Sequence, residues 1–221
     1  EIRDFEISNN RLRNFSLHLG LSGVLRGKVF DNSFLMEKGR DSGTGIINFG
    51  LPNVGLWVFH NANGSNDALD IYNNTYDGCA NPNFNLTTQS TSHLCGDGLI
   101  FGQPKNSLIH DNQIRRFSFE GINVGNGNDG ALGTNQFYNN TIDGATSIGD
   151  RNHGGHTGIR ADLSGATYRN NTITNVASGV TSYSADFDVN IKNIKVLNNT
   201  IRIKNVSGPN GFGGYLSTDP K

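Results

Sequence analysis

The sequence predicts an all-β solenoid in which short parallel strands stack along one axis. Two repeated phrases predict it: one built around an Asn corner, which occurs seven times, and one led by Gly, which recurs between the corners. Composition points the same way, because the 221 residues include 32 Asn and 29 Gly, which favour turns and disfavour helices. A helical bundle, a coiled coil and a Pro-rich disordered chain are therefore excluded.

Each copy of the Asn phrase reads apolar residue, two linking residues, Asn, any residue, apolar residue. The recurring Asn residues are Asn10, Asn32, Asn74, Asn112, Asn140, Asn171 and Asn199. Asn tolerates the left-handed backbone that a tight corner needs. Stacked copies would lie about 4.8 Å apart, the spacing of strands, so each amide could bond to the next. The phrase thus predicts an Asn ladder at one corner, with loop insertions filling the longer intervals.

The second phrase reads Gly, apolar residue, any residue, small or apolar residue. Its copies are 45–49, 98–101, 121–124, 158–161 and 179–182, with 17–19 and 214–216 in the same phase at the two ends. Each turn would therefore contribute one strand to a parallel sheet of seven strands. Counting the Gly as position 0, alternation places +1 and +3 towards the core and +2 and +4 towards solvent. We also expect position −1 to face solvent.

This pattern resembles the right-handed parallel β-helix of the pectate-lyase-like superfamily, and the repeat that carries the resemblance covers nearly the whole chain. The resemblance implies a single domain, 1–221, of about seven coils. It also implies a secreted or cell-surface protein. Enzymes that act on acidic polysaccharides dominate the superfamily, as lyases, polygalacturonase-like hydrolases and epimerases, and phage tailspikes and adhesins also belong to it. The fold does not choose among these activities.

The two ends of the sequence suggest contacts with further protein, and the two cysteines suggest a disulfide. Strand phase is present from the first residues to 211–216, with no amphipathic helix at either end. Solenoids need polar caps, so we expect a segment of a longer solenoid or a unit whose ends meet further copies, forming a homo-oligomer. Cys79 and Cys95 bracket a long polar loop, and a disulfide between them would suit an extracellular protein. Two buried thiols are the alternative.

Ionisable side chains gather on the outer face predicted for the Gly-led strands. They are Asp97, Glu120, Asn123, Arg160, Asp162 and Tyr183, with His18 and Phe49 in the same columns. The carboxylates of Asp97 and Glu120 would lie about 5 Å apart on adjacent strands. That proximity leaves one of them protonated near neutrality and suits acid/base work on a glycosidic bond. Arg160 could hold a substrate carboxylate, and the aromatic rings could stack on sugars.

The segment 150–162 would lie beside this face and carries Arg151, His153 and His156. His titrates near neutrality, so the two His could act as acid/base groups or, with Asp150, bind a metal, although no third strong ligand is evident. Surface His residues in a Gly-rich loop are the alternative. The Asp-pair motifs of polygalacturonase-like hydrolases are missing, so their catalytic roles are not transferred.

The expected partners follow from charge, hydropathy and this face. A formal net charge of −1 argues against nucleic-acid binding driven by bulk charge. No apolar run reaches 18 residues, so no membrane span is expected. No cofactor is predicted, although 125–130 resembles a single calcium-binding nonapeptide, which leaves weak calcium binding open.

The leading functional hypothesis is a secreted domain that binds an extended, acidic polysaccharide along this face. Cleavage or epimerisation would use the Asp97–Glu120 pair or the His153 and His156 loop. The alternative is a non-catalytic surface protein: an adhesin, a tailspike segment or a fibre subunit. The clustered ionisable face favours the first, and the uncapped ends favour the second.

Overall fold

The computed structural model describes residues 2–13, 15, 17–35, 54–59, 66–78, 97–102, 104–117, 120–125, 134–144, 157–182 and 192–203. For Asp97 and Gly125 it describes the backbone alone. All regular structure in these ranges is β, in 24 strands. No helix in this part of the chain is long and apolar enough to cross a bilayer.

The strands form four parallel sheets, which we call A, B, C and D. Sheet A contains β1 (Ile2–Arg3), β5 (Val24–Leu25), β9 (Asn66–Asp67) and β13 (Pro104–Lys105). Sheet B contains β2 (Glu6–Ser8), β6 (Lys28–Phe30), β10 (Asp70–Tyr72), β14 (Leu108–His110), β17 (Gln136–Tyr138), β20 (Thr167–Arg169) and β23 (Lys195–Leu197). Sheet C contains β3 (Arg11–Arg13), β7 (Ser33–Leu35), β11 (Thr75–Asp77), β15 (Gln113–Arg115), β18 (Thr141–Asp143), β21 (Thr172–Val176) and β24 (Thr200–Ile203). Sheet D contains β4 (Leu17–Leu21), β8 (Val54–Val58), β12 (Asp97–Gly102), β16 (Glu120–Gly125), β19 (Thr157–Ala161) and β22 (Ser178–Thr181).

The chain visits the sheets in a fixed order. After each strand of sheet D it passes to sheet B, in the early repeats through a short strand of sheet A, then to sheet C and back to sheet D. Every strand pairs in parallel with its counterpart in the next repeat. This stacking of parallel strands fits the predicted parallel β-helix.

The predicted Asn ladder is confirmed at the corner between sheets B and C. Each ladder Asn donates from Nδ2 to Oδ1 of the next over 2.9–3.0 Å, from Asn10 through to Asn199. The backbone N–H of each donates to the same oxygen. The residue before each ladder Asn is left-handed, with φ of 52–57°. The corner therefore satisfies buried amides that the fold would otherwise leave unpaired.

The core lies between the sheets and is filled by the apolar columns that the repeats predict. Ile71, Ile109, Ile122 and Ile159 are fully buried. Burying such a side chain stabilises the fold by about 1.5–3 kcal/mol. Sheet D approaches sheet C so closely at its Gly column that a Cβ at Gly121 would lie 2.5 Å from Cγ2 of Ile142. Gly is needed there because no side chain has room.

The strand of sheet D in the 42-residue interval differs from the prediction. It is β8, in which Leu56 pairs with Leu19 on one side and with Leu99 on the other. The predicted copy, 45–49, lies outside the described residues, as does 214–216, and sheet D has six described strands. Both 45–49 and 55–58 match the phrase, but the first would place the amide of Asn48 in the core. β8 places Val58 there, fully buried and without that desolvation cost.

Candidate functional site

The outer side of sheet D brings together a polar group that we call the sheet D cluster: Glu120, Asn123, Arg160, Asp162 and Ser182. Parallel pairing aligns Asn123 of β16 with Arg160 of β19. Ile159 is fully buried, whereas the Arg160 side chain is 19% exposed. The predicted register of this strand, with Arg160 outward and Ile159 inward, is therefore confirmed.

Glu120 lies at the centre of the cluster. Its side chain is 15% exposed, and its Oε1 lies 3.7 Å from Nη1 of Arg160. Asn123 donates from Nδ2 to the other oxygen, Oε2. Burial raises the pKa of Glu120; Arg160 lowers it, Asp162 raises it again, and Asn123 lowers it. Because the net direction is upward, the carboxyl can keep a proton at a higher pH than an ordinary Glu.

Asp162 is buried, which corrects the expectation that its side chain faces solvent. The side chain is 1% exposed, and Oδ2 accepts a hydrogen bond from Nε of Arg160 at 2.5 Å. The Ser182 hydroxyl donates to Oδ1 at 2.9 Å. These bonds compensate the burial of the charge. The bond to Asp162 also occupies Nε of Arg160, so a substrate carboxylate would have to bind the Nη atoms of the guanidinium.

The register places Asp97 in the same column as Glu120, but Val54 and Thr157 of this column are buried, so the prediction that the whole column faces solvent is wrong. Leu99 pairs with Ile122, which places Asp97 and Glu120 two residues earlier at equivalent positions of β12 and β16. The side chain of Asp97 lies outside the described part of the structure. The proposed proton-sharing pair therefore stays a prediction.

His18 does not lie in the outward +2 column, which corrects its predicted position. Gly20 pairs with Trp57 and takes that place, whereas His18 is only 8% exposed. Its Nδ1 lies 3.2 Å from the carbonyl of Val54 and its Nε2 3.3 Å from the carbonyl of Leu35. Burial lowers the pKa of His18, and both carbonyls oppose that shift. The pairing places His18 opposite Gly55, two residues from its predicted phase, in the column that Gly occupies in the other repeats. Side chains in that column point towards sheet C, which explains its inward position.

The structure adds an aromatic pair that sequence reasoning missed. Trp57 occupies the +2 position of β8, and its ring stacks on Phe59 with centroids 4.7 Å apart. Phe59 packs against Gly20, where an added Cβ would lie 2.7 Å from its Cε2. Both rings are partly exposed. The chain has a single Trp, and its place in a Gly–apolar phrase could have revealed this site.

A second row of rings follows the outside of sheet B, two residues before each ladder Asn. Phe30, Tyr72, His110 and Tyr138 stack with centroids 4.6–5.2 Å apart, and Arg169 covers the last ring at 4.1 Å. The rings lie within 7° of parallel. Since each face is covered by the next ring, the row presents edges to solvent, and we interpret it as structural packing.

The remaining predicted site residues lie outside the described residues. They are Phe49, Arg151, His153, His156 and Tyr183, together with Cys79, Cys95 and the segment 126–130. Within the described ranges, no group of three or more His, Cys, Asp or Glu residues could hold a metal ion.

No protein-family profile, curated protein or solved structure matches this chain. The functional interpretation therefore rests on the geometry of sheet D.

Proposed function

We propose that this chain is a carbohydrate-active protein that binds an extended polysaccharide along the outer face of sheet D and cleaves or epimerises it. In this proposal the fold is a right-handed parallel β-helix of about seven coils, of the pectate-lyase-like kind, in a secreted or cell-surface protein. The parallel sheets and the Asn ladder support the fold, and the sheet D cluster supports the activity.

The observation that carries the proposal is the environment of Glu120. The carboxyl of Glu120 is largely enclosed, has a raised pKa and lies next to the guanidinium of Arg160 and the amide of Asn123. Such a carboxyl is suited to donate a proton to a glycosidic oxygen. A carboxylate that served only an exposed surface ion pair would have no need of this enclosure. Perturbed carboxyl groups of this kind cluster at functional sites.

Trp57 and Phe59 offer a second contact for a polysaccharide on the outer face of sheet D, apart from Glu120. β8 lies two strands from β16, so the ring pair and Glu120 are separated by about 10 Å along the sheet stack. If one sugar ring of a polysaccharide stacked on Trp57, another sugar unit of the same polysaccharide would lie beside Glu120. Arg160 is the one Lys or Arg among the described residues of sheet D. It favours an acidic glycan, provided that the carboxylate approaches its Nη edge.

Cleavage also needs a second group. In a lyase, a base removes a proton from the sugar carbon next to the carboxylate, and Glu120 protonates the oxygen that leaves. In a hydrolase, a carboxylate activates water or attacks the sugar. Asp97 in the column of Glu120, or His153 and His156, would fill this role.

The test compares Glu120→Gln with the wild type on a panel of neutral and acidic polysaccharides. Reducing ends report hydrolysis, absorbance of unsaturated products reports lyase activity, and NMR of the polymer reports epimerisation. We expect Glu120→Gln to reduce turnover about a hundredfold or more because it cannot donate a proton. Glu6→Gln, the same change at an exposed site on sheet B, is the matched control.

Unchanged turnover in Glu120→Gln would contradict the role of Glu120. Absence of both binding and turnover on all acidic and neutral glycans in the wild type would contradict the function as a whole.

A non-catalytic fibre subunit or adhesin segment is the second candidate, and a specific observation favours it. Apolar side chains on the last described strands are exposed: Val196 by 41%, Leu197 by 46%, Ile201 by 38% and Ile203 by 45%. Exposed apolar surface of this kind marks an interaction site. A further chain segment or another copy of the chain would cover it.

A further inference from the structure

We propose that Asp162 is a positioning residue: its buried carboxylate holds Arg160 by the Nε edge and so keeps the guanidinium from closing on Glu120. The inference rests on the proposed function for its catalytic meaning. Its physical content, a link between Asp162 and the protonation of Glu120, can be tested without any substrate.

The link runs through three described side chains. Asp162 binds Nε of Arg160 at 2.5 Å, whereas Nη1 of the same guanidinium stays 3.7 Å from Glu120. The first distance is a close charge-assisted hydrogen bond, and the second is longer than a hydrogen bond. Arg160 therefore binds Asp162 more closely than it approaches Glu120.

The burial of Asp162 makes this arrangement rigid. Its side chain is 1% exposed, and Ser182 fixes the second carboxylate oxygen. The backbone N–H of Asp162 also donates to the carbonyl of Val124, on the strand that carries Glu120. Ser182 holds the carboxylate and Val124 holds the backbone of Asp162 independently of Arg160, so Asp162 sets where Arg160 rests.

The chemistry requires such a restraint. A guanidinium that closed on Glu120 with two hydrogen bonds would stabilise the carboxylate and remove the proton that a general acid must donate. Held at its present distance, Arg160 can still face a negatively charged substrate. Among the described side chains, the charged groups that act on Glu120 are Arg160 and Asp162, on or beside β19. The backbone of Asp97 occupies the equivalent position of β12.

The experiment is a carboxyl-detected NMR titration of Glu120 in the full chain, with Glu120→Gln used to assign its signal. In Asp162→Asn, the negative neighbour is lost and Arg160 is released towards Glu120. Both changes favour the carboxylate, so the titration midpoint of Glu120 should fall by about one pH unit. In Arg160→Gln the cation is lost and the midpoint should rise. Because loss of the Asp162 charge would by itself lower the midpoint, the positioning role is read from the double variant: Asp162→Asn should lower the midpoint more in the presence of Arg160 than in the Arg160→Gln background.

Asp4→Asn is the matched control, because Asp4 also accepts a hydrogen bond from an Arg Nε, that of Arg26 at 2.7 Å, but at an exposed site in the bend between β1 and β2. It should leave the midpoint of Glu120 unchanged. An unchanged or raised midpoint in folded Asp162→Asn would overturn the proposal.

A measurement on the wild type covers the case in which Asp162→Asn fails to fold. The Nε–H of Arg160 should exchange with solvent at least tenfold more slowly than that of Arg26, whose carboxylate partner is 65% exposed. Equal exchange rates would overturn the proposal. If the midpoint shifts as expected but no glycan is turned over by the wild type, the positioning role stands and the proposed function fails.

Discussion

At the scale of single residues, His18 provides a test of burial that does not depend on function. Burial lowers the pKa of His18, so between the ordinary value of 6.5 and the lower folded value the unfolded chain binds more protons than the folded chain. The stability associated with neutral His18 is present above about pH 6.5 and is lost as the pH falls through the folded pKa.

We expect His18→Leu to be less stable than the wild type at pH 7.5, because Leu cannot donate the hydrogen bond that the neutral imidazole, with its one N–H, gives to the carbonyl of Val54 or of Leu35. The difference in the free energy of unfolding between the two proteins should narrow towards pH 5, because protonation of His18 destabilises only the wild type. Urea denaturation at several pH values measures both. A constant difference across this range would contradict the burial argument, and Glu120 does not confuse the comparison because both proteins contain it.

At the scale of elements, the ladder can be tested at its centre. Asn140 is fully buried and joins Asn112 to Asn171 through its side chain. Asn140→Ala should cost about 1–3 kcal/mol in the free energy of unfolding, because neighbouring amide and carbonyl groups lose their partners. Gln113→Ala removes an exposed amide next to Asn112 and should cost about 0.5 kcal/mol or less. Equal losses in the two variants would mean that the ladder contributes no more than a surface amide.

The same scale shows what the sequence can predict and why it fails elsewhere. The Asn corner and the apolar columns follow local rules, left-handed backbone and alternation, so they were predicted correctly from spacing. The 42-residue interval contains two segments that match the Gly-led phrase, 45–49 and 55–58. They differ in the residue that would enter the core: Val58 packs there without penalty, whereas Asn48 would have to lose its hydration. Asp162 was misjudged because alternation gives the direction of a side chain but not its depth, which Arg160 and Ser182 determine.

At the scale of the whole molecule, the described part of the ladder has two chemically different ends. Each Asn donates to the Oδ1 of the next, so among the described residues Asn199 has a backbone N–H with no further ladder oxygen, and Asn10 has an Oδ1 with no preceding donor. A second copy stacked head to tail would join them. The same register would place Lys195 opposite Glu6 and Val196 opposite Ile7, although Arg202 would meet Arg13.

This complementarity predicts association that depends on concentration and on Val196. Head-to-tail contacts of this kind do not close by symmetry, so they build a series of species rather than one dimer. Sedimentation velocity over a hundredfold range of concentration should show a rising average mass, and Val196→Lys should weaken association at least tenfold by placing a charge in the apolar contact. Leu108→Lys, which adds the same charge to the outside of sheet B, should associate like the wild type. A chain that stays monomeric at every concentration has this surface covered by its own residues or by another protein, and self-association would then be wrong.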